Sequence, residues 1–409
     1  MAETKVEASD ADILLAQRLL SASARHDIPV LSILLKDASA NVRDPATGTS
    51  PLHAAIEACA ENKSLEPSAV KTVHLLLENG AIWNDLNKKD ETPGCIALRL
   101  GLKDVYDEMV MAGVRAELLF GRMKGEEADA KPKTLAGDNN VYLASTLRFN
   151  PTIILDEEDN AVMMQWEDAI MARHAETLLP NPPGLRIMNV GHGMGIVDRA
   201  IQARSPDEHH IIEAHPQVLA RLKEQGWHEK KGVTVHEGRW QDVLPKLMEK
   251  GVVLDAIYYD TFAEDYAAFK EFTDGIIPIL DEEGRFGWYN GLGADRQIVY
   301  DVMTKVAEMD LYDAGFDTKW EDIAVPADLH GSDQWNGTRR PYWQIDTYRL
   351  PVVCINPGSQ RDMLTISEYL YPLRTEAKVQ MSLRIESITP IEHIPRTRNR
   401  VWFQNSQNQ

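Results

Sequence analysis

The stretch IMNVGHGMGIVDRAIQARSPDEHHIIE, residues 187–213, decides the fold, because it has the pattern of a strand, a glycine-rich turn, a helix and a second strand ending in an acid. Gly191, Gly193 and Gly195 predict a tight turn in which backbone N–H groups approach a ligand with no Cβ in the way. Glu213 follows Gly191 at close to the spacing of about 20 residues that lets a carboxylate reach ribose hydroxyls. The stretch therefore predicts a nucleoside-binding Rossmann half.

Two further blocks favour a functional interpretation over an ordinary glycine turn, which is common in α/β proteins. MQWEDAIM at 164–171 carries Glu167, and YYDTF at 258–262 carries Asp260 at the expected carboxyl end of a strand. In open α/β sheets ligands bind beyond that end. Both acids are therefore candidate site residues.

Several blocks in one order give residues 142–350 a resemblance to guanidinoacetate methyltransferase and to the fungal protein arginine N5-methyltransferases. They are VMMQWEDAIM, NVGHGMGI, HHIIEAHP, GRWQDVLP, LDAIYYDTF, GRFGWYNG, DAGF and YW. The resemblance implies an α/β fold of the class I Rossmann-like methyltransferase type, with a seven-stranded sheet whose last two strands form an antiparallel hairpin. It also implies S-adenosyl-L-methionine as the cofactor.

The resemblance also implies the catalytic pair, because Glu167 and Asp260 occupy the positions of the acids that bind the guanidino group. A guanidinium keeps its proton at physiological pH, with a pKa above about 12. Methyl transfer therefore needs groups that orient the planar cation and accept a proton. We assign Asp260 as proton acceptor and Glu167 as the second clamp. A solvated carboxylate at a strand or helix end is the competing interpretation of each.

The expected cofactor site surrounds this pair. It consists of Tyr142, Met163, Met171, Asn189, Gly191, His192, Gly193, Met194, Gly195, Ile196, Glu213, Ala214, His215, Arg239, Trp240, Gln241 and Asp260. Core packing is an open alternative for Trp240 and the two methionines, and the His192 side chain has an incidental interpretation. Asn189 stands where many methyltransferases carry an acid, and Asn290 is a weaker carry-over. The three separated cysteines and the histidines show no zinc spacing, so we expect no metal.

The rest of the chain predicts four segments. Residues 9–120 resemble ankyrin repeats, with openings at SPLH (50–53) and ETP (91–93), and about three stacked helix pairs are expected. The sequence predicts a linker at residues 121–140, the methyltransferase domain at 141–351, and a C-terminal extension of unknown role at 352–409. The later strands are expected near 233–238, 254–260, 285–290, 321–326 and 342–349.

Composition limits the classes of binding partner and the cellular compartment that we expect. The chain has 409 residues and a formal net charge of −20, which argues against direct nucleic-acid binding and suits a cationic, arginine-containing protein substrate. Three scattered cysteines indicate a reducing compartment, and the acidic N-terminus lacks a signal-peptide pattern. No apolar run is long enough to cross a membrane. We expect a cytoplasmic and nuclear monomer.

Three functions remain open at this point. The first is methylation of the internal, δ (N5) nitrogen of arginine in a protein, with a large-subunit ribosomal protein as the substrate class that the resemblance implies. The second is methylation of a free guanidino metabolite such as guanidinoacetate. The third is a non-catalytic adaptor whose repeats bind a protein partner.

Overall fold

The computed structural model describes residues 10–124, 139–331 and 333–356, and these divide into two compact units. The described residues of the first unit fall within 1–130, 291–307 and 342–345, and those of the second within 131–290, 308–341 and 346–409. Most of the predicted linker and of the C-terminal extension therefore lies outside the described residues. No described helix combines the length and the apolar character that a membrane crossing requires.

The first unit is helical. Its six complete helices are α1 (Asp10–Ala24), α2 (Ile28–Leu34), α3 (Pro51–Glu57), α4 (Glu66–Glu78), α5 (Pro93–Leu100) and α6 (Lys103–Lys124). The odd-numbered helices pack in one row, α1 on α3 on α5, and the even-numbered helices in another, α2 on α4 on α6. The chain therefore forms successive helical hairpins.

Both predicted repeat openings begin helices. Ser50 caps α3 by accepting from the backbone N–H of His53, whose Nδ1 lies 3.2 Å from the Ser50 N–H. Thr92 caps α5 by accepting from the Cys95 N–H at 3.1 Å. His53 Nε2 lies 3.0 Å from the Glu91 carbonyl oxygen, so the two openings are joined.

Residues 291–307, which the sequence placed in the methyltransferase segment, group with the helical unit. They include the first part of α13 (Gln297–Asp313). A Cβ on Gly94 would lie 1.9 Å from Ile298 Cδ1, and one on Gly113 would lie 2.6 Å from Val302 Cγ2. The two glycines therefore give α13 close access to α5 and α6.

The second unit contains a seven-stranded sheet. Its strands are β4 (Arg186–Val190), β5 (Glu208–Glu213), β6 (Val233–Glu237), β7 (Leu254–Tyr259), β8 (Leu280–Trp288), β9 (Phe316–Ala324) and β10 (Thr347–Ile355). The order is β6-β5-β4-β7-β8-β10-β9, and only β10 runs antiparallel to its neighbours. The predicted α/β class, the strand count and the antiparallel hairpin are confirmed.

Helices connect the parallel strands. They are α9 (Ile196–Ala203), α10 (Pro216–Glu224), α11 (Trp240–Glu249) and α12 (Tyr266–Ile276), while α7 (Asn139–Ala144) and α8 (Asp168–Leu178) precede β4. In α8, Met171, Ala175 and Leu178 recur at three- and four-residue spacing and are buried, so this face packs against β4 and α9 in one core cluster.

Two features differ from the expectation. A three-stranded antiparallel sheet, β1 (Arg148–Phe149), β2 (Ile153–Leu155) and β3 (Ala161–Met164), precedes α8 and has strands too short to show a period. The last strand was expected at 342–349 but runs over Thr347–Ile355, beyond the predicted domain end at 351. Residues 342–345 group with the helical unit, where the Trp343 ring contacts Tyr300.

Candidate active site

The site lies where β4, β5 and β7 end side by side. The Gly191 N–H donates to the Ile212 carbonyl at 2.9 Å, and the Asp260 N–H donates to the Val190 carbonyl at 2.9 Å. The residues that follow the three strands are therefore held next to one another. Asp260 and the glycine turn meet at the carboxyl edge of the sheet, as the sequence predicts.

Close approach explains the glycines of the turn. Gly191 has φ +95°, and a Cβ there would lie 1.8 Å from the Asp260 carbonyl oxygen. Gly193 has φ +53°, and its Cβ would lie 2.9 Å from Met163 Sδ. Gly195, at φ +70°, is the N-cap residue of α9. No larger residue fits the first of these positions, because the contact is with backbone.

Glu213 lies at the end of β5 and is 8% exposed. One carboxylate oxygen accepts from the Ala214 and His215 N–H groups at 2.8 and 2.7 Å, and the other from the His192 and Gly193 N–H groups at 2.9 and 3.4 Å. The acid thus fixes the turn against β5. The long bond from Gly193 is the one that a ribose hydroxyl would most easily replace.

The two methionines differ in their surroundings. Met163 Sδ lies 3.2 Å from the Met194 N–H, so Met163 borders the turn. Met171 is fully buried and accepts a hydrogen bond from the Tyr258 hydroxyl at 3.2 Å, which makes it a core residue. Ile196 is also in the core and offers a ligand only its backbone.

A cluster of rings covers the Glu213 side of the site. Tyr142, on α7, lies 4.9 Å between ring centroids from both His215 and Phe262. Burial, followed by the charge of Glu213, raises the pKa of Tyr142 well above its usual value. Tyr142 is therefore neutral and forms an aromatic cover next to the proposed ribose acid.

Arg239 and Trp240 follow β6 and have different roles. Arg239 donates to the Asn140 side chain at 2.6 Å, which ties α7 to this edge. The Trp240 indole N–H donates to both oxygens of Glu264 at 3.1 and 3.0 Å, and its ring packs edge-on against Phe272. Trp240 is thus buried in the wall of this edge, and its place in the cofactor site stays a prediction.

Glu264 was not singled out in the sequence, yet it collects hydrogen bonds from both sides of this edge. Besides Trp240, it accepts from Gln241 Nε2 at 3.4 Å, from Thr261 Oγ1 at 2.9 Å and from the Tyr259 hydroxyl. Its position four residues after Asp260 is the only sequence signal. The carboxylate anchors the loop that begins with Asp260.

A second missed acid, Asp198, lies beneath the glycine turn. Its carboxylate is fully buried and contacts Asn189 Nδ2 at 2.9 Å, His192 Nδ1 at 2.6 Å and His209 Nε2 at 2.9 Å. Burial alone would raise the pKa of Asp198, but the two histidines outweigh it and hold the pKa below the usual range. The Nδ1 atom of His192 therefore belongs to this structural network, while its buried Nε2 has no hydrogen-bond partner among the described residues.

Asp260 is different, because its Oδ2 is buried and has no hydrogen-bond partner among the described residues. Burial, with a contribution from the charge of Asp198, raises the pKa of Asp260 to about 7. A buried carboxylate poised near neutrality and lacking a donor is a natural receiver for a cation or a proton.

Glu167 is 3% exposed and ends the short turn before α8. Met171 lies four residues later along α8, and Tyr258, on β7, lies two residues before Asp260, which follows the strand. The contact between Met171 and Tyr258 therefore joins the helix that follows Glu167 to the strand that leads to Asp260. Asp260 and Glu167 both contribute, after burial, to raising the pKa of Tyr258, so both charges lie in its surroundings.

Asn290 belongs to the scaffold. Its Nδ2 donates to the Arg349 carbonyl at 3.1 Å, and its N–H donates to the Tyr348 hydroxyl at 3.0 Å. These bonds hold the end of β8 to β10.

The residues at the sheet edge fit S-adenosylmethionine. The turn after β4 leaves room for backbone approach, Glu213 stands at the ribose position, and Tyr142 provides an aromatic cover. Two buried oxygens in this region, Asn189 Oδ1 and Gln241 Oε1, have no hydrogen-bond partner among the described residues. They are acceptors available to amino groups of a ligand.

Comparison with known proteins agrees with this geometry. The family model described as guanidinoacetate N-methyltransferase matches residues 148–275. "Protein arginine N-methyltransferase 2" of Aspergillus fumigatus is 48% identical over 83% of this chain and 96% of its own length. The protein of the same name from Saccharomyces cerevisiae is 35% identical over 75% of this chain and 83% of its own length.

Among solved structures, a SAM-dependent methyltransferase from Agrobacterium tumefaciens matches with a TM-score of 0.34 and 10% identity, over 52% of this chain and 70% of that one. This match is too distant to carry an argument. The fungal relatives are alike over most of both chains, and the residues matched by the family model include the glycine turn and both acids. The chain belongs to the protein arginine N-methyltransferase 2 family.

Proposed function

We propose that this protein transfers a methyl group from S-adenosylmethionine to the internal, δ (N5) nitrogen of arginine residues in a protein. The observation that carries the proposal is the unpartnered carboxylate oxygen of Asp260 at the end of β7. Glu167 supplies a second carboxylate on the face joined to it through Tyr258 and Met171. A planar cation with five N–H donors matches this arrangement.

The mechanism assigns one task to each acid. When bound, S-adenosylmethionine supplies an electrophilic methyl group on a sulfonium. Glu167 and Asp260 hold the guanidinium in one orientation, so that the attacking nitrogen faces the methyl carbon. As the new N–C bond forms and the S–C bond breaks, Asp260 takes the proton that leaves this nitrogen. Its raised pKa suits that step.

The choice of nitrogen follows from how two carboxylates share one guanidinium. If the acids together bind both terminal amino groups, the internal nitrogen is the one left to face the donor. The resemblance of the Glu167 and Asp260 blocks to those of the guanidinoacetate enzymes supports the same assignment.

A basic protein is the expected substrate, and a large-subunit ribosomal protein is our specific proposal. The formal net charge of −20 attracts such a partner and speeds encounter more than it strengthens binding. Free guanidinoacetate is the second candidate, which the match to the guanidinoacetate family model favours.

The test is incubation of the full chain with tritiated cofactor and an extract of cells that lack the enzyme. Fragment ions of the labelled peptide should place the methyl group on the internal nitrogen and identify the protein. Label on a terminal nitrogen would refute the δ assignment. Label only in added guanidinoacetate would favour the small-molecule function, and no transfer together with no cofactor binding by calorimetry would favour an adaptor.

For the helical unit we propose a stack of ankyrin-type repeats that binds a protein partner. Three observations support the repeat stack: the two rows of helices, the equivalent helix caps at Ser50 and Thr92, and the hydrogen bond between His53 and the Glu91 carbonyl. Because residues 291–307 group with these helices, the full chain is the right bait. Loss of a captured protein on substitution of exposed Ile33 or Leu98, with turnover unchanged, is expected. We further propose that the protein is a monomer of the cytoplasm and nucleus.

A further inference from the structure

A cavity of about 100 Å³ in the second unit lies beside the candidate active site. We call it the arginine pocket. The lining residues that matter here are Phe149, Asn150, Gln165, Met194, Arg199 and Arg221. The pocket combines two cationic side chains, three side-chain amides, of which Gln225 is the third, and apolar walls.

The two arginines are not neutralised within the part of the chain that the structure describes. Arg199 Nη1 donates to the Met194 carbonyl at 2.8 Å, and the Arg221 guanidinium lies over the Phe149 ring, 5.0 Å from its centroid. Neither forms an ion pair with a described carboxylate. The remaining N–H donors of both guanidinium groups are therefore available to a ligand.

Several other arginines of this unit bind carboxylates, whereas Arg204 and Arg285 donate to backbone carbonyls. Arg173 binds Glu321 through two bonds of 2.8 Å, and Arg186 binds Asp255 through two bonds of 2.9 Å. The chain has 63 acidic and 43 basic residues, so carboxylates are plentiful. Two arginines lining one cavity without such a partner therefore indicate a site for an anion from outside the chain.

The lining favours a carboxylate on a short apolar stem. Asn150 adds an amide donor, Gln165 lines the pocket while its Nε2 donates to Asp168, and Phe149 and Met194 provide walls for methylene groups. The cavity has room for one such side chain. A nucleic-acid strand carries a charge at every nucleotide and would be repelled by a protein of formal net charge −20.

The pocket is next to the reacting groups. Gln165 begins the turn that ends at Glu167, and Met194 belongs to the glycine turn, where its N–H lies 3.2 Å from Met163 Sδ. A group in the pocket therefore lies next to the turn that carries Glu167 and next to the glycine turn, where a side chain close in sequence to the target arginine can reach it.

We propose that the arginine pocket binds the carboxylate of an Asp or Glu side chain close in sequence to the target arginine of the protein substrate. This rests on the proposed action on a protein, and it adds a sequence preference to it. The preference would not depend on which guanidino nitrogen is methylated.

The test uses the full chain and two matched peptide pools. Each peptide has one central arginine and neutral neighbours, with one Glu within four residues in the first pool and Gln instead in the second. Transfer from tritiated cofactor gives relative kcat/KM. Affinity is measured separately by fluorescence anisotropy with S-adenosylhomocysteine present, so that the pocket is tested even if no methyl group is transferred.

We expect the wild type to prefer the Glu pool by about tenfold in both measurements, as for one hydrogen-bonded charge pair at a partly exposed site. Arg199→Gln and Arg221→Gln should reduce the ratio to about two, and Arg221→Glu should favour a third pool that carries Lys. Lys223→Gln, an equal charge change at an exposed position of α10, should leave the ratio unchanged.

Equal affinity of the wild type for the Glu and Gln pools would overturn the proposal, as would a preference that survives Arg221→Gln. Tighter binding of a single-stranded RNA oligonucleotide than of the Glu pool, lost in Arg221→Gln, would also contradict it. Failure of the proposed function would give a different result: the wild type would still bind the Glu pool more tightly, but neither pool would be methylated.

Discussion

Two buried aspartates of the sheet edge, Asp198 and Asp260, have the same side chain and opposite surroundings. Asp198 has donors from Asn189, His192 and His209, and its pKa is held low. Asp260 has an oxygen without a hydrogen-bond partner in the described part of the chain, and burial raises its pKa to about 7. A satisfied carboxylate holds the fold together, whereas an unsatisfied one is free to act on a ligand.

The largest expected effect concerns Asp260. Asp260→Asn removes the proton acceptor and one negative charge, so kcat should fall by about a thousandfold. The dissociation constant of S-adenosylmethionine, measured by calorimetry, should change by less than about threefold. Asp274→Asn, on the exposed side of α12, is the control and should retain full turnover. Undiminished turnover in Asp260→Asn would remove Asp260 from the mechanism.

The same substitution at Asp198 should act on stability. Asp198→Asn leaves two buried histidines without their carboxylate, and the free energy of unfolding should fall by about 3 kcal/mol. Urea denaturation followed by fluorescence measures it. An unfolding free energy equal to that of the wild type would mean that the Asp198 network is not structural.

The pH profile separates the two aspartates further. Because the pKa of Asp260 in the folded state lies above its unfolded value, ionisation of Asp260 disfavours the fold. That cost is absent below about pH 4, grows as the pH rises to about 7 and is complete above it. Asp260→Asn should therefore be more stable than the wild type at pH 8, by on the order of 4 kcal/mol, and close to it at pH 4.

The pH dependence of activity should reflect the same ionisation of Asp260, but here ionisation is favourable: it raises activity, whereas it lowers stability. Only the ionised carboxylate holds the cation and takes its proton, so kcat/KM should rise about tenfold per pH unit below pH 7 and level off above. A profile that is flat between pH 5.5 and 8 would show that the ionisation of Asp260 does not limit the reaction.

The smallest effect is expected at Glu264. Like Asp198 it accepts several hydrogen bonds, and like Asp260 it lies next to the candidate active site. Glu264→Gln weakens the bonds from Trp240, Tyr259 and Thr261, so cofactor affinity should fall about five- to tenfold. Glu271→Gln, at an exposed position of α12, is the matched control. An unchanged dissociation constant would assign Glu264 to the core alone.

The sequence predicted the parts of the site that depend on local pattern. The strand, turn and strand around Gly191 place Glu213, and the end of the apolar run LDAIYY places Asp260, because strands and glycine turns have short-range signatures. The number of strands, seven, followed from the resemblance, and the antiparallel hairpin is confirmed by the pairing of β9 with β10.

The remaining features depend on contacts between distant residues. The Asp198 network joins positions on β4, the glycine turn, α9 and β5, and no local pattern identifies such pairing. Trp343 resembled a strand residue by its neighbours, yet it is buried against Tyr300 in the helical unit. The strands β1 to β3 are too short to show alternation, and the arginine pocket forms only when β1 and α10 come together.

The most direct test of the central claim is a crystal structure of the full chain with S-adenosylhomocysteine and an arginine peptide. We expect carboxylate oxygens of both Glu167 and Asp260 within about 3 Å of nitrogen atoms of one guanidinium, with the internal nitrogen facing the sulfur. A guanidinium bound by neither acid, or the two carboxylates directed at separate ligands, would contradict the account.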